Sequence, residues 1–81
     1  MRLVVRVSGQ CIEKAVKRRY ESLVVELIER EDPEKERELE FLLEFIKKAD
    51  FAELRRRGFD GSREAVVEIR KEGERFVVEE L

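Results

Sequence analysis

The chain is 81 residues long, 42% apolar and 47% charged, with 18 bases, 20 acids, one cysteine and no histidine. An internal disulfide, the usual zinc ligand sets and histidine-based triads are thereby excluded. A net charge of −2 and a pI near 5.4 also speak against the sustained positive field of a polyanion binder.

In residues 2 to 7, Leu3, Val5 and Val7 alternate with Arg2, Val4 and Arg6, the pattern of a strand with one wet face. Ser8-Gly9-Gln10 breaks the alternation. From Ile12 the apolar positions fall at Ile12, Ala15, Val16, Tyr20, Leu23, Val24, Leu27 and Ile28, and this spacing predicts a helix over roughly residues 10 to 30. Residues 21 to 29 hold a β-branched pair and admit a strand instead. The unbroken spacing and the Glu13/Lys17 and Glu26/Arg30 pairs, acid first, favour the helix.

Asp32-Pro33 reads as an N-cap with proline at the first helical position, and Glu34 and Glu36 complement the dipole of a second helix. Its apolar residues Leu39, Phe41, Leu42, Leu43, Phe45, Ile46 and Ala49 cover an arc of roughly 200°. That is wider than one sheet covers. Asp50 caps a short third helix, Phe51 to Arg57, ended by Gly58, and Phe59 to Ser62 form a turn. Two alternating runs follow, Ala65 to Arg70 and Arg75 to Glu79, joined by a glycine-containing turn. With Glu72-Gly73 as the loop, Ile69 faces Phe76 and Val67 faces Val78 on the buried side, while Arg70 faces Arg75. The expected fold is a single α+β domain over residues 1–81, in the order strand, helix, helix, short helix, strand, strand. Its three-stranded sheet has helices packed on one face. Arg2, Arg6, Glu68, Arg70, Arg75 and Glu79 would form an ion-pair ladder on the other face.

Three groups of residues are candidate sites. Ser8, Gly9 and Cys11 form a strand-to-helix turn of the kind that binds anions and activates thiols, but no histidine base and no phosphate-cradling glycine loop accompanies Cys11. Val7-Ser8-Gly9 after a strand resembles the opening of acylphosphatases over less than a tenth of the chain. The phosphate loop of that family is replaced by residues 10 to 17, and its catalytic asparagine has no counterpart in a chain without asparagine. Nothing is carried over from it. Lys14, Lys17, Arg18, Arg55, Arg56 and Arg57 are the candidate nucleic-acid contacts, with Phe51 and Phe59 as stacking partners. The acids from Glu31 to Glu40 fan around a helix and share no face on which to hold a metal. No cofactor is implied.

The charge runs in blocks of +3 over residues 1–30, −5 over 31–46, +3 over 47–58 and −3 over 59–81, which suits internal pairing or a head-to-tail contact between chains. A surface with 17 Glu, 12 Arg and 6 Lys against one Gln and no Asn or Thr is the direction of adaptation to heat, and a thermophilic source is expected. With no apolar leader and no run near the ~18 apolar residues that span a bilayer, a cytoplasmic protein is expected. The leading reading is a binding protein rather than an enzyme. It is a homodimer joined through the second helix at Phe41, Leu42, Phe45 and Ala49, or met there by a second protein. Nucleic-acid binding stands second, and a small enzyme using Cys11 third.

Overall fold

A computed structural model describes residues 1–81. The elements are β1 (Arg2–Val7), α1 (Ile12–Glu29), α2 (Pro33–Lys48), α3 (Phe51–Arg56), β2 (Ala65–Glu72) and β3 (Arg75–Glu80). The three strands form one antiparallel sheet in the order β1-β2-β3, with the helices on one face, so this is a small α+β fold. Residues 21–29 continue α1 as a helix.

Local chemistry sets the helix ends. The Asp32 carboxylate accepts from the Glu34 and Lys35 amides at 3.1 and 3.3 Å, with Pro33 in the first turn, so the open donors of α2 are satisfied by a cap that also faces its positive dipole end. Asp50 does the same for α3 through the Glu53 amide at 3.1 Å. Gly58, at φ 100°, supplies the left-handed residue that ends α3. The three residues between α1 and α2 return α2 antiparallel to α1, and Arg19–Glu38 (2.9 Å) and Lys35–Glu26 (2.9 Å) bridge the two helices.

The hairpin register differs from the sequence expectation. The loop is Gly73-Glu74, with Glu72 opposite Arg75, Ile69 opposite Val78 and Val67 opposite Glu80. Gly73 sits at φ 62°, and no other residue type in the chain has a positive φ. A tight turn with glycine in its first loop position meets that demand, whereas a Glu72-Gly73 loop would force Glu72 into the left-handed region. Partners move by an even number of residues, so the faces are preserved: Val67, Ile69 and Val78 remain buried. The like-charge meeting of Arg70 and Arg75 is replaced by Arg70 opposite Val77.

The core corrects the expectation for α2. Phe41, Leu42 and Phe45 are 6%, 0% and 1% exposed within the single chain. Phe76 of β3 meets Phe41 and Phe45 edge-on at centroid distances of 5.4 and 5.3 Å, and Phe51 of α3 meets Phe45 at 5.8 Å. The wide arc is therefore closed by the chain itself, from the sheet on one side and from α1 and the folded-back α3 on the others. Phe41, Leu42 and Phe45 offer no surface to a second subunit. Ala49 is half-buried, and of the apolar arc only Leu43, at 38%, is exposed.

Two substitutions test this packing. Phe45→Ala, which removes the ring between Phe51 and Phe76, is expected to cost about 3–5 kcal/mol in denaturant unfolding. Gly61→Ala should also destabilise, because a Cβ there would stand 2.6 Å from the Gln10 carbonyl carbon at a φ of 88°.

Candidate interaction site

The strand-to-helix turn is filled from within the chain. Cys11 is the N-cap of α1 and makes no side-chain capping bond. The first amide of the helix, Ile12 N–H, donates to the Phe59 carbonyl at 3.0 Å. Gly61 packs so closely on Gln10 that its missing side chain is what lets the turn at residues 58–61 lie there. Ser8 and Gly9 are exposed and Cys11 is half-buried. One of the first-turn donors that an anion would use is thus engaged by a carbonyl.

The candidate nucleic-acid contacts divide in two. Arg57 donates through Nη2 to the Val78 carbonyl at 2.8 Å and lies 5.4 Å from the centre of the Phe59 ring. Phe59 is 3% exposed, so it is a core residue and offers no ring for base stacking. The Val78 carbonyl lies on the free edge of β3. Leu81 N–H donates to the Val66 carbonyl at 2.8 Å, which makes alternate pairs, 66:81, 68:79, 70:77 and 72:75, the hydrogen-bonded ones and turns the backbone groups of Phe76 and Val78 outward. Arg57 therefore covers part of a sheet edge, a familiar guard against strand addition. Glu13 ties Lys17 at 2.9 Å and Arg55 at 3.2 Å, which brings α3 beside the first turns of α1. Lys14, Arg18 and Arg56 are exposed and make no ion pair.

The open face of the sheet carries the expected ladder in modified form. Glu68, 8% exposed on the central strand, receives Arg2 Nε at 2.7 Å and Arg70 Nη1 at 2.6 Å. Arg70 reaches on to Glu79 at 3.1 Å, and Arg6 pairs with Glu64 at 3.1 Å. Bonds to Glu79 and then Glu68 hold the Arg70 guanidinium charged beyond its usual range. Arg75 lies outside the ladder, and Val4, Val66 and Val77 occupy the gaps between charges. Carboxylates elsewhere are drawn below their ordinary range: Glu44 by Lys71 and then Lys48, Glu79 by Arg70, Glu80 by Arg63, and Glu13 foremost by Lys17.

The sequence reading missed the outward face of α1. Ile28 was expected in the buried stripe, yet it is 79% exposed, and Val25 is 57% exposed. At 100° per residue Ile28 stands about 140° from the fully buried Leu23, and that angle was the available signal. Lys14, Arg18, Glu21, Val25 and Ile28 form one narrow stripe along this face, all exposed. Arg18, Glu21, Ser22, Val25 and Glu26 frame a shallow concavity in it. A second groove, between α3 and β3, is lined by Ala49, Leu54, Arg57 and Phe76 among others. No group of three or more histidine, cysteine, aspartate or glutamate side chains converges to hold a metal ion. No helix is long and apolar enough to cross a membrane.

Among known proteins, a family model matches residues 1–79. An uncharacterized protein of Archaeoglobus fulgidus is 58% identical over 85 aligned positions that cover the whole of both chains. No solved structure matches.

Acidification tests the ion pairs. A carboxyl whose folded pKa is lowered contributes stability above its unfolded value, and that contribution is lost as pH falls through the folded value. The melting temperature should be flat above about pH 5 and should drop below about pH 4. Glu44→Gln with Glu79→Gln should flatten the drop in calorimetry across that range. For the edge guard, Arg57→Ala should cost about 1.5–3 kcal/mol in chemical unfolding, as loss of a charge-assisted bond does.

Proposed function

The chain belongs to the protein family whose model spans its residues 1–79, and on that footing we propose that it works by binding, as a self-associating interaction protein of the cytoplasm. The observation that supports this reading is where apolar surface remains once the core is closed. Val25 and Ile28 stand exposed on α1, on the same stripe as charged side chains that pair with nothing in their own chain. Neighbouring exposed apolar groups bordered by unpaired charge suit a small contact with an apolar centre and a polar rim. With the Phe41–Phe45 arc enclosed, the contact is assigned away from the second helix.

Light scattering on fractions from size exclusion is the direct test. A mass that rises from one chain toward two with concentration is expected, and one chain throughout would remove the reading.

A second reading has an observation of its own. The Glu13–Arg55 bridge gathers Arg55 and Arg56 near Lys14, Lys17 and Arg18, and a polyanion could lie across them. Retention on heparin that falls steeply with salt, and that Lys14→Glu with Arg56→Glu abolishes, would favour nucleic acid over self-association. Elution at low salt is the expected result.

A further inference from the structure

The charges on α1 are arranged against its own stability. Lys14, Lys17, Arg18 and Arg19 crowd its N-terminal half, while Glu21, Glu26 and Glu29 occupy the C-terminal half, and the last turn carries no base. A helix dipole favours the opposite order, acids first and bases last. Three of these residues have partners in the chain, Lys17 in Glu13 of the first turn of α1, Arg19 in Glu38 and Glu26 in Lys35. Lys14, Arg18, Glu21 and Glu29 are left exposed and unpaired, bases at one end and acids toward the other.

The stripe they share has the spacing of a helix seam. Lys14, Arg18, Glu21, Val25 and Ile28 follow one another at intervals of four, three, four and three, the a and d positions of a heptad pattern. Arg18, Glu21, Ser22 and Val25, which frame the concavity, stand at i, i+3, i+4 and i+7, the four positions that make the hole for a knob from a facing helix. Ser22 keeps the hole open.

The geometry points to a second copy of this chain as the occupant, with its α1 lying antiparallel across this face. Place Val25 of each copy in the hole around Ser22 of the other. Ile28 then covers the aliphatic stem of Arg18 in the other copy, the Arg18 guanidinium reaches Glu29 there, and Lys14 approaches the acidic segment that begins at Glu29 and includes Glu31 and Asp32. The two helix dipoles run opposed. Each uncompensated half of α1 meets its complement, and the charge order that costs a lone helix becomes favourable in the pair. A parallel pair would set base against base and acid against acid. A polyanion would satisfy the basic half and be repelled by the acidic one. An α1 of 18 residues spans about 27 Å and offers two apolar side chains per copy, so the dimer is a weak, salt-sensitive one.

This assignment rests on the self-association reading and goes further by naming the face, and charge reversal separates the two. Dissociation constants are measured by sedimentation equilibrium for the wild type, Arg18→Glu, Glu29→Arg and the double variant, with melting temperature as the folding control. Neither Arg18 nor Glu29 has a partner within the chain, so all four should fold alike. Each single reversal is expected to weaken the dimer about tenfold, and the double variant to recover most of the loss. Ile28→Glu should weaken it at least as much, and raising salt from about 0.05 to about 0.5 M should weaken the wild type. A dimer indifferent to both single reversals and to Ile28→Glu would overturn the α1 face while leaving self-association standing. A wild type that stays monomeric at every concentration would overturn both.

Discussion

The fold turns on the enclosure of Phe45. Its ring is met edge-on by Phe76 from the hairpin and by Phe51 from α3, and these contacts tie the second helix at once to the sheet and to the short helix that follows it. A chain this small has few apolar side chains to spend, and aromatic pairs add specific geometry to the area they bury. Because the hairpin and α3 both arrive at the same ring, the broad apolar arc of α2 is consumed internally. Val25 and Ile28, on the outside of α1, the helix that lies beside α2, stay exposed.

Electrostatics follows the same division between used and unused. Ion pairs tie different elements together: Arg19 with Glu38, Lys35 with Glu26, Arg55 with Glu13, and Lys71 with Glu44. On the open sheet face, Glu68 is held between Arg2 and Arg70 on the central strand, so its charge is compensated where solvent is scarce. Exposed pairs of this kind contribute little singly. They leave Lys14, Arg18, Glu21 and Glu29 of α1 without partners in the chain.

Arg57 shows how one side chain can look like a ligand contact and act as structure. It belongs to a run of three arginines that reads as a basic patch, yet it spans from α3 to an outward carbonyl of β3 and rests on Phe59. An edge strand with open backbone groups invites further strands, and a guanidinium placed on one of its carbonyls discourages that. The groove between α3 and β3 is consequently bordered by a residue already bound in place.

Much of this architecture was legible in the residues themselves. The switch from period two to period three or four at Gln10, the Asp32-Pro33 and Asp50 caps, Gly58 as a helix stop and the inward face of each strand all depend on side chains within about a turn of one another, and local sterics and hydrogen bonding act at that range. The tertiary structure decided what local patterns do not contain. Whether Phe41 and Phe45 are covered depends on where Phe76, far along the chain, comes to lie. Whether Arg57 is free depends on Val78, and whether the helix start at Cys11 is open depends on the carbonyl of Phe59. The hairpin register lay between the two cases: its faces were set by alternation, but its partners were chosen by the one residue, Gly73, able to take a positive φ at the start of the loop. Periodicity tells which side of an element seeks cover, whereas the identity of the cover is a property of the packed whole.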